Sequence, residues 1–280
     1  VIPVWQTTVL AHQQSEDGSE KLLLEFSSGG QAECVLLRDG DRRTVCISSQ
    51  VGCAMGCVFC ASGLDGVDRD LATGEIIEQM IRLQHCLPEE ERISHIVMMG
   101  MGEPLANLDN VLSALEFSGD PEGLGISARR ITISTVGLPA AIRKMAAREC
   151  RYHLAVSLHA AEDSLRTRLV PVNQGIGLED ILSAADSYFD VSGRRLTFEY
   201  VLLAGVNDSP GDASRLGALL RGRPAMINLI PCNPVDGLPY QPPSGAAVRR
   251  FQQVLEDLGL NVQIRQRKGD KINAACGQLR

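Results

Sequence analysis

Cys53-Ala-Met-Gly-Cys57-Val-Phe-Cys60 places three thiols at i, i+4 and i+7, and that spacing decides how the rest of the chain is read. Three thiolates are one short of the closed tetrahedral set of structural zinc, whereas a cubane iron–sulfur cluster held by three Cys keeps one iron open for a ligand that reacts. A zinc knuckle or a set of buried thiols is the alternative, because short Cys motifs are usually zinc sites. No fourth Cys or His lies close by in the chain, which favours the open iron.

Outward from this loop the pattern alternates strand and helix. Runs rich in Ile, Val, Leu and Thr at Thr44–Ser48, His95–Met99, Ile131–Thr135, His153–Leu158, Leu196–Leu203, Met226–Ile230 and Val262–Arg265 predict strands. Between them the helical period predicts helices over Gly74–Cys86, Leu108–Leu115, Leu138–Arg148, Leu178–Phe189, Ser209–Leu220 and Ser244–Leu258, several opened by residues suited to an N-cap. Repeated βα units argue for a parallel sheet curled toward a barrel, with reactive groups at the C-terminal ends of strands. Ahead of it, Lys21–Phe26 and Ala32–Leu37 flank Ser27-Ser-Gly-Gly30 and read as a hairpin. The expected division is a β extension over residues 1–43 and one catalytic domain over 44–280.

Composition bounds the setting. No apolar run is long enough to span a bilayer and no charged-then-apolar leader opens the chain, so a cytoplasmic protein is expected. Nine cysteines, an odd number, argue for reduced thiols, and Cys34, Cys86, Cys150 and Cys232 are assigned no chemistry. A net charge of −7 fits poorly with a nucleic-acid partner. Local basic pairs, Arg42-Arg43, Arg129-Arg130, Arg194-Arg195, Arg249-Arg250 and Arg265-Gln-Arg267-Lys268, are candidate phosphate contacts; solvated element ends are the plainer reading of many of them.

Further pieces accompany the Cys motif in order: Cys46-Ile-Ser-Ser-Gln-Val-Gly-Cys53, Met99-Gly-Met-Gly-Glu103-Pro-Leu-Ala-Asn107, Ile133-Ser-Thr-Val-Gly137, Ser157-Leu-His159 and Ala274-Ala-Cys276-Gly-Gln-Leu279. C-x3-C-x2-C is the signature of radical SAM enzymes, and the set, from about residue 20 to the C-terminus, resembles the RlmN/Cfr family of RNA methyltransferases. The resemblance implies the α/β fold of that superfamily, a partial (β/α)6 TIM-like barrel. It implies a [4Fe-4S] cluster on Cys53, Cys57 and Cys60, and two molecules of S-adenosylmethionine (SAM) per turnover. Gly102, Glu103, Ser134, Ser157, Leu158, His159 and Asn233 resemble the SAM-binding positions, with Glu103 facing the amino group. Members of the family carry an additional helical N-terminal domain, which this chain is expected to lack; that bears on RNA affinity rather than on chemistry. Cys232 departs from the bulkier residue that many relatives place before the Asn.

The same resemblance assigns Cys276 as the thiol that becomes S-methylcysteine and Cys46 as the thiol that resolves the protein–RNA adduct through a disulfide. Glu33, thirteen residues before Cys46, stands where the family places a proton acceptor, although a strand residue beside Cys34 could equally face solvent. The activity implied is methylation of carbon 2 of adenine in 23S rRNA, in the peptidyl-transferase loop, and in tRNA beside the anticodon. An electron donor such as a flavodoxin system and a thiol reductant are implied, and a monomer is expected. Pro104 points to the carbon-2 branch over methylation of carbon 8. A radical SAM enzyme with another substrate, which gives no reason for the paired Cys46 and Cys276, and a nonenzymatic metal or RNA-binding module, which predicts zinc or no metal and no SAM cleavage, are the competing classes.

Overall fold

In the computed structural model, which describes residues 5–280, the hairpin forms where the Ser27–Gly30 turn signal puts it. β1 (Thr7–Gln14), β2 (Glu20–Phe26), β3 (Gln31–Asp39) and β4 (Arg42–Cys46) make an antiparallel meander in which Leu22 faces Cys34 and Val35 faces Cys46. β1 has no counterpart in the sequence reading. All but one of its residues are exposed, so it shows no apolar alternation, and pairing with β2 holds it in place.

The chain divides into two compact units. The first takes the chain up to Ala54, Ala61–Ser134 and Arg267–Arg280. In it, β5 (Gln50–Gly52) and β6 (Val67–Asp70) form a small ladder, followed by α1 (Thr73–Gln84), β7 (His95–Met98), α2 (Leu108–Gly119) and β8 (Ile131–Thr135). β4 is the hinge between two kinds of pairing, antiparallel to β3 on one edge and parallel to β7 on the other, and β7 pairs parallel with β8. Ile96, Met98, Ile131 and Ile133 of these strands pack in the interior with Met80 and Leu83 of α1.

The second unit takes Met55–Cys60 and Thr135–Gln266. It contains α3 (Pro139–Ala147), β9 (His153–Ser157), α4 (Asp163–Leu169), α5 (Leu178–Ser192), β10 (Leu196–Leu202), α6 (Pro210–Leu220), β11 (Ala225–Pro231), α7 (Gly245–Asp257) and β12 (Asn261–Ile264). β10 pairs parallel with β9 and β11, and β11 with β12. Two of the expected N-caps are made: Ser209 Oγ accepts from Asp212 N at 3.1 Å, and Ser244 Oγ accepts from Ala247 N at 3.2 Å. All seven expected parallel strands and six expected helices form in the two units. Among the described residues no helix is long and apolar enough to cross a membrane.

α4 is the helix the period did not show, and it carries Arg166, a side chain with no exposed surface. Its guanidinium donates to the carbonyls of Leu158 (3.1 Å) and Ser157 (3.0 Å), to Val136 O and to Asn173 Oδ1. Burial pushes its pKa down to about 10, so it remains a cation at neutral pH. One side chain thus ties the ends of β9, the exit from β8 and the turn after α4. Replacing it by Met strands several buried carbonyls, and Arg166→Met is expected to lose at least about 3 kcal/mol of stability in chemical denaturation.

Candidate active site

The Cys53–Cys60 loop is shaped from its N-terminal side by an unusually close backbone contact. Ser49 N and Gln50 N donate to Met101 O at 2.8 and 3.3 Å, Gly100 N donates to Ile47 O at 3.1 Å, and Met101 N donates to Ser48 Oγ at 2.8 Å. Segment Met99–Glu103 therefore lies against Ile47–Gln50 with no room for side chains between. A Cβ on Gly100 would come within 2.7 Å of Ile47 C, and one on Gly102 within 2.7 Å of Gln50 N, with Gly102 also at φ +95°. Gln79 secures the same stretch from α1, its Oε1 accepting from Ser48 N at 2.8 Å and its Nε2 donating to Ser48 O at 3.0 Å. Asn107 Nδ2 donates to Ser49 O and Leu71 O at 2.8 and 2.7 Å.

This contact positions Glu103, which is 2% exposed. Its N–H donates to Gln50 Oε1 at 2.9 Å, and its Oε1 accepts from Leu105 N at 3.0 Å. Gly102 and Glu103 are thus held beside the run leading to Cys53, and Ser134 sits half-buried near the end of β8 in the same unit.

In the second unit the loop passes under β9. Val58 N donates to Leu169 O at 3.1 Å, and the Phe59 ring meets the His159 ring edge-on with centroids 4.9 Å apart. Ser157, Leu158 and His159 end β9, and Asn233 follows β11, so these expected site residues lie at C-terminal strand ends. His159 holds a left-handed φ of +61°, uncommon for a non-glycine residue and typical of functional sites. Its Nδ1 accepts from Val201 N at 3.0 Å, which assigns the ring proton to Nε2. Burial, reinforced by Arg166, pushes its pKa down to about 3.

A third group assembles on the meander. Because Lys21 and Cys46 both lie opposite Val35, and Glu33 is two residues from Val35, strand alternation puts Lys21, Glu33 and Cys46 on one face. Glu33 is 8% exposed, so the solvent-facing reading of this position does not hold. The C-terminal segment is moored in this unit: Gly277 O accepts from Ala61 N at 2.8 Å, Leu279 O accepts from Ser62 Oγ at 2.6 Å, and Arg280 N donates to Glu33 Oε2 at 3.0 Å. Cys276 is therefore half-buried on a fixed segment rather than frayed. None of the nine cysteines is joined in a disulfide. Beside Arg280 and Met101 opens a cavity of about 530 Å³, also lined by Gln31, Val51, Gly52 and Ser62, which the sequence did not show.

The donor set fits an iron–sulfur cluster: Cys53, Cys57 and Cys60 are half-buried thiols on one short loop, interleaved with buried Met55 and Phe59. The radical SAM superfamily model matches residues 47–216. The chain is 65% identical over 277 residues to a probable dual-specificity RNA methyltransferase RlmN of Rhodopirellula baltica, covering 99% of this chain and 75% of the relative. It is 46% identical to the dual-specificity RNA methyltransferase RlmN of Syntrophobacter fumaroxidans, covering 97% of this chain and 79% of the relative. This chain belongs to the RlmN family of radical SAM enzymes. A crystal structure of a radical SAM methyltransferase from Sphaerobacter thermophilus matches with TM-score 0.96 and 42% identity, covering 99% of this chain and 82% of that one. The chain is thus a radical SAM RNA methyltransferase with the α/β superfamily fold, and its cofactors are a [4Fe-4S] cluster and SAM.

The His159 environment has a measurable consequence. The unfolded chain takes up a proton near pH 6.5 that the folded imidazole refuses until about pH 3. Stability from this group is full above pH 6.5 and is lost as pH falls toward 3, with a slope approaching about 1.4 kcal/mol per pH unit. Denaturant unfolding between pH 6.5 and 4 should therefore decline more steeply in the parent than in His159→Gln.

Proposed function

We propose that this enzyme methylates carbon 2 of adenine in 23S rRNA, in the peptidyl-transferase loop, and in tRNA beside the anticodon, through a methyl group carried on Cys276. The observation that carries the reading is the face shared by Glu33 and Cys46 together with the moored segment bearing Cys276, which places a carboxylate, a thiol and a second thiol segment in one unit. The relatives' name as dual-specificity RNA methyltransferases supports the RNA substrate. Residues 1–43 are then the extension and 44–280 the catalytic domain.

A ring C–H on adenine is not attached to a nucleophilic carbon, so polar methyl transfer fails there. With the cluster held by Cys53, Cys57 and Cys60, cleavage of SAM supplies a 5′-deoxyadenosyl radical. Gly102, Glu103 and Ser134 of the first unit are SAM-binding positions, with Glu103 suited to hold the amino group, and Ser157, Leu158, His159 and Asn233 are those of the second, where the His159 Nε2–H would be a fixed donor. The Cys276 thiolate displaces S-adenosylhomocysteine from a first SAM and becomes S-methylated. Hydrogen leaves that methyl group as 5′-deoxyadenosine from a second SAM, and the carbon bonds to the adenine ring.

Glu33 accepts the ring proton, and Cys46 attacks the Cys276 sulfur. The sulfur–carbon bond breaks, the disulfide forms, and the methylated base departs. Before that attack the odd electron left by radical addition passes from the adduct to a one-electron acceptor, a role the oxidised cluster would serve; in the attack the sulfur–carbon electron pair goes to the methylene carbon, which takes up a proton. A thiol reductant then restores both thiols. The cavity beside Arg280 and Met101 is large enough to receive an extruded base. The enzyme works as a cytoplasmic monomer fed by a flavodoxin-type electron donor. Pro104, next to Glu103, supports carbon 2 over carbon 8.

The two thiols act at different times, which separates them experimentally. Cys276→Ala should load no methyl group and form no RNA adduct. Cys46→Ala should load and add but not release, so that protein covalently attached to RNA accumulates on a denaturing gel. An adduct in Cys276→Ala, or clean multiple turnover by Cys46→Ala, would contradict the assignment.

A further inference from the structure

Lys21 is a buried lysine, 7% exposed, immediately before Leu22, Leu23 and Leu24 on β2. A lone ammonium in such a place is costly unless it is paired. Its Nζ lies 2.7 Å from Glu33 Oε1 and donates to Asn273 O at 3.2 Å. The other oxygen of the same carboxylate, Oε2, accepts from Arg280 N at 3.0 Å. Lys21 and Glu33 together therefore grip the C-terminal segment on both sides of Cys276, at Asn273 and at Arg280. The face that carries Lys21 and Glu33 also carries Cys46.

We propose that Lys21 is a positioning residue for the methyl-transfer reaction: its ammonium orients the Glu33 carboxylate and, through Asn273, couples that carboxylate to the segment presenting Cys276. The inference rests on the roles given above to Glu33 and Cys276. In the observed arrangement Glu33 Oε1 is held by Lys21 and Oε2 accepts from the Arg280 amide, which leaves Oε2 a second lone pair with which to take a substrate proton when one is presented. Lys21 keeps the carboxylate aimed when that happens. Loading of Cys276 does not require this, because Ala61 and Ser62 still hold the Gly277 and Leu279 carbonyls.

The test compares Lys21→Met, Lys21→Arg and Glu33→Gln, each purified anaerobically and matched for iron content, in two assays. One measures transfer of labelled methyl from SAM to the protein without RNA. The other measures methylated product and protein–RNA adduct with an rRNA fragment. Lys21→Met should load methyl within about twofold of the parent yet release product at least tenfold more slowly, with adduct accumulating as in Glu33→Gln; Lys21→Arg should recover a large part of the release.

At matched iron content a purely structural lysine would lower loading and release together, and that outcome, or parental release by Lys21→Met, overturns the proposal. If Glu33→Gln itself turns over normally, the role of Glu33 falls first. If Glu33→Gln is blocked and Lys21→Met is not, only the Lys21 proposal falls. Lys21→Gln, neutral but able to donate to the same oxygens, replaces Lys21→Met if the latter takes up no iron, and is read by the same two assays.

Discussion

The close backbone approach of Met99–Glu103 onto Ile47–Gln50 is the contact from which the first unit's chemistry follows. Atoms of two main chains bond directly, which only glycine at 100 and 102 allows. The contact fixes three things at once. It orients the run from Cys46 to Cys53, it buries Glu103 with its carboxylate tied to the following turn, and it brings Met101 Sδ to 3.3 Å from the Glu33 amide. A loop that must hold three thiolates needs rigid ends, and here the rigidity comes from direct peptide–peptide bonds backed by the side chains of Ser48, Gln79 and Asn107.

In the second unit a cation does the equivalent work. Arg166 gathers carbonyls from Val136, Ser157 and Leu158, so that His159 is held in a left-handed conformation against Phe59 of the Cys loop. A buried guanidinium that satisfies neutral backbone oxygens fixes their geometry, and an apolar side chain in its place would leave those oxygens without donors. The strained His159 is what such specification permits.

The sequence showed the parallel strands and their helices well because strands buried on both faces are written as continuous apolar runs, as in Leu154-Ala-Val156 of β9. It did not show β1, all but one of whose residues face solvent, or α4, whose seven residues are too few for a helical period and whose buried members, Arg166 and Leu169, include an arginine. The thiols of the cluster loop, Glu103 and the glycines beside it were visible as motifs. Glu33 was visible only by its spacing from Cys46, and whether it faced solvent was undecided until the β2–β3 register fixed its side. Lys21 and the mooring of the C-terminal segment were hidden because they depend on contacts across roughly 250 residues of chain, from Lys21 to Asn273. Strand parity from the Ser27–Gly30 hairpin could have placed Lys21 with Glu33, since both belong to the face opposite Leu22 and Cys34.

The central claim is that a methyl group passes to carbon through a thiol on this chain and loses one hydrogen on the way. The direct measurement is turnover of reconstituted enzyme with a 23S rRNA fragment and SAM trideuterated in its methyl group, followed by mass spectrometry of the nucleosides and of 5′-deoxyadenosine. The account predicts 2-methyladenosine whose methyl carries two deuteriums, with the third in 5′-deoxyadenosine. A methyl group that keeps all three deuteriums, or methylation at carbon 8, would contradict it.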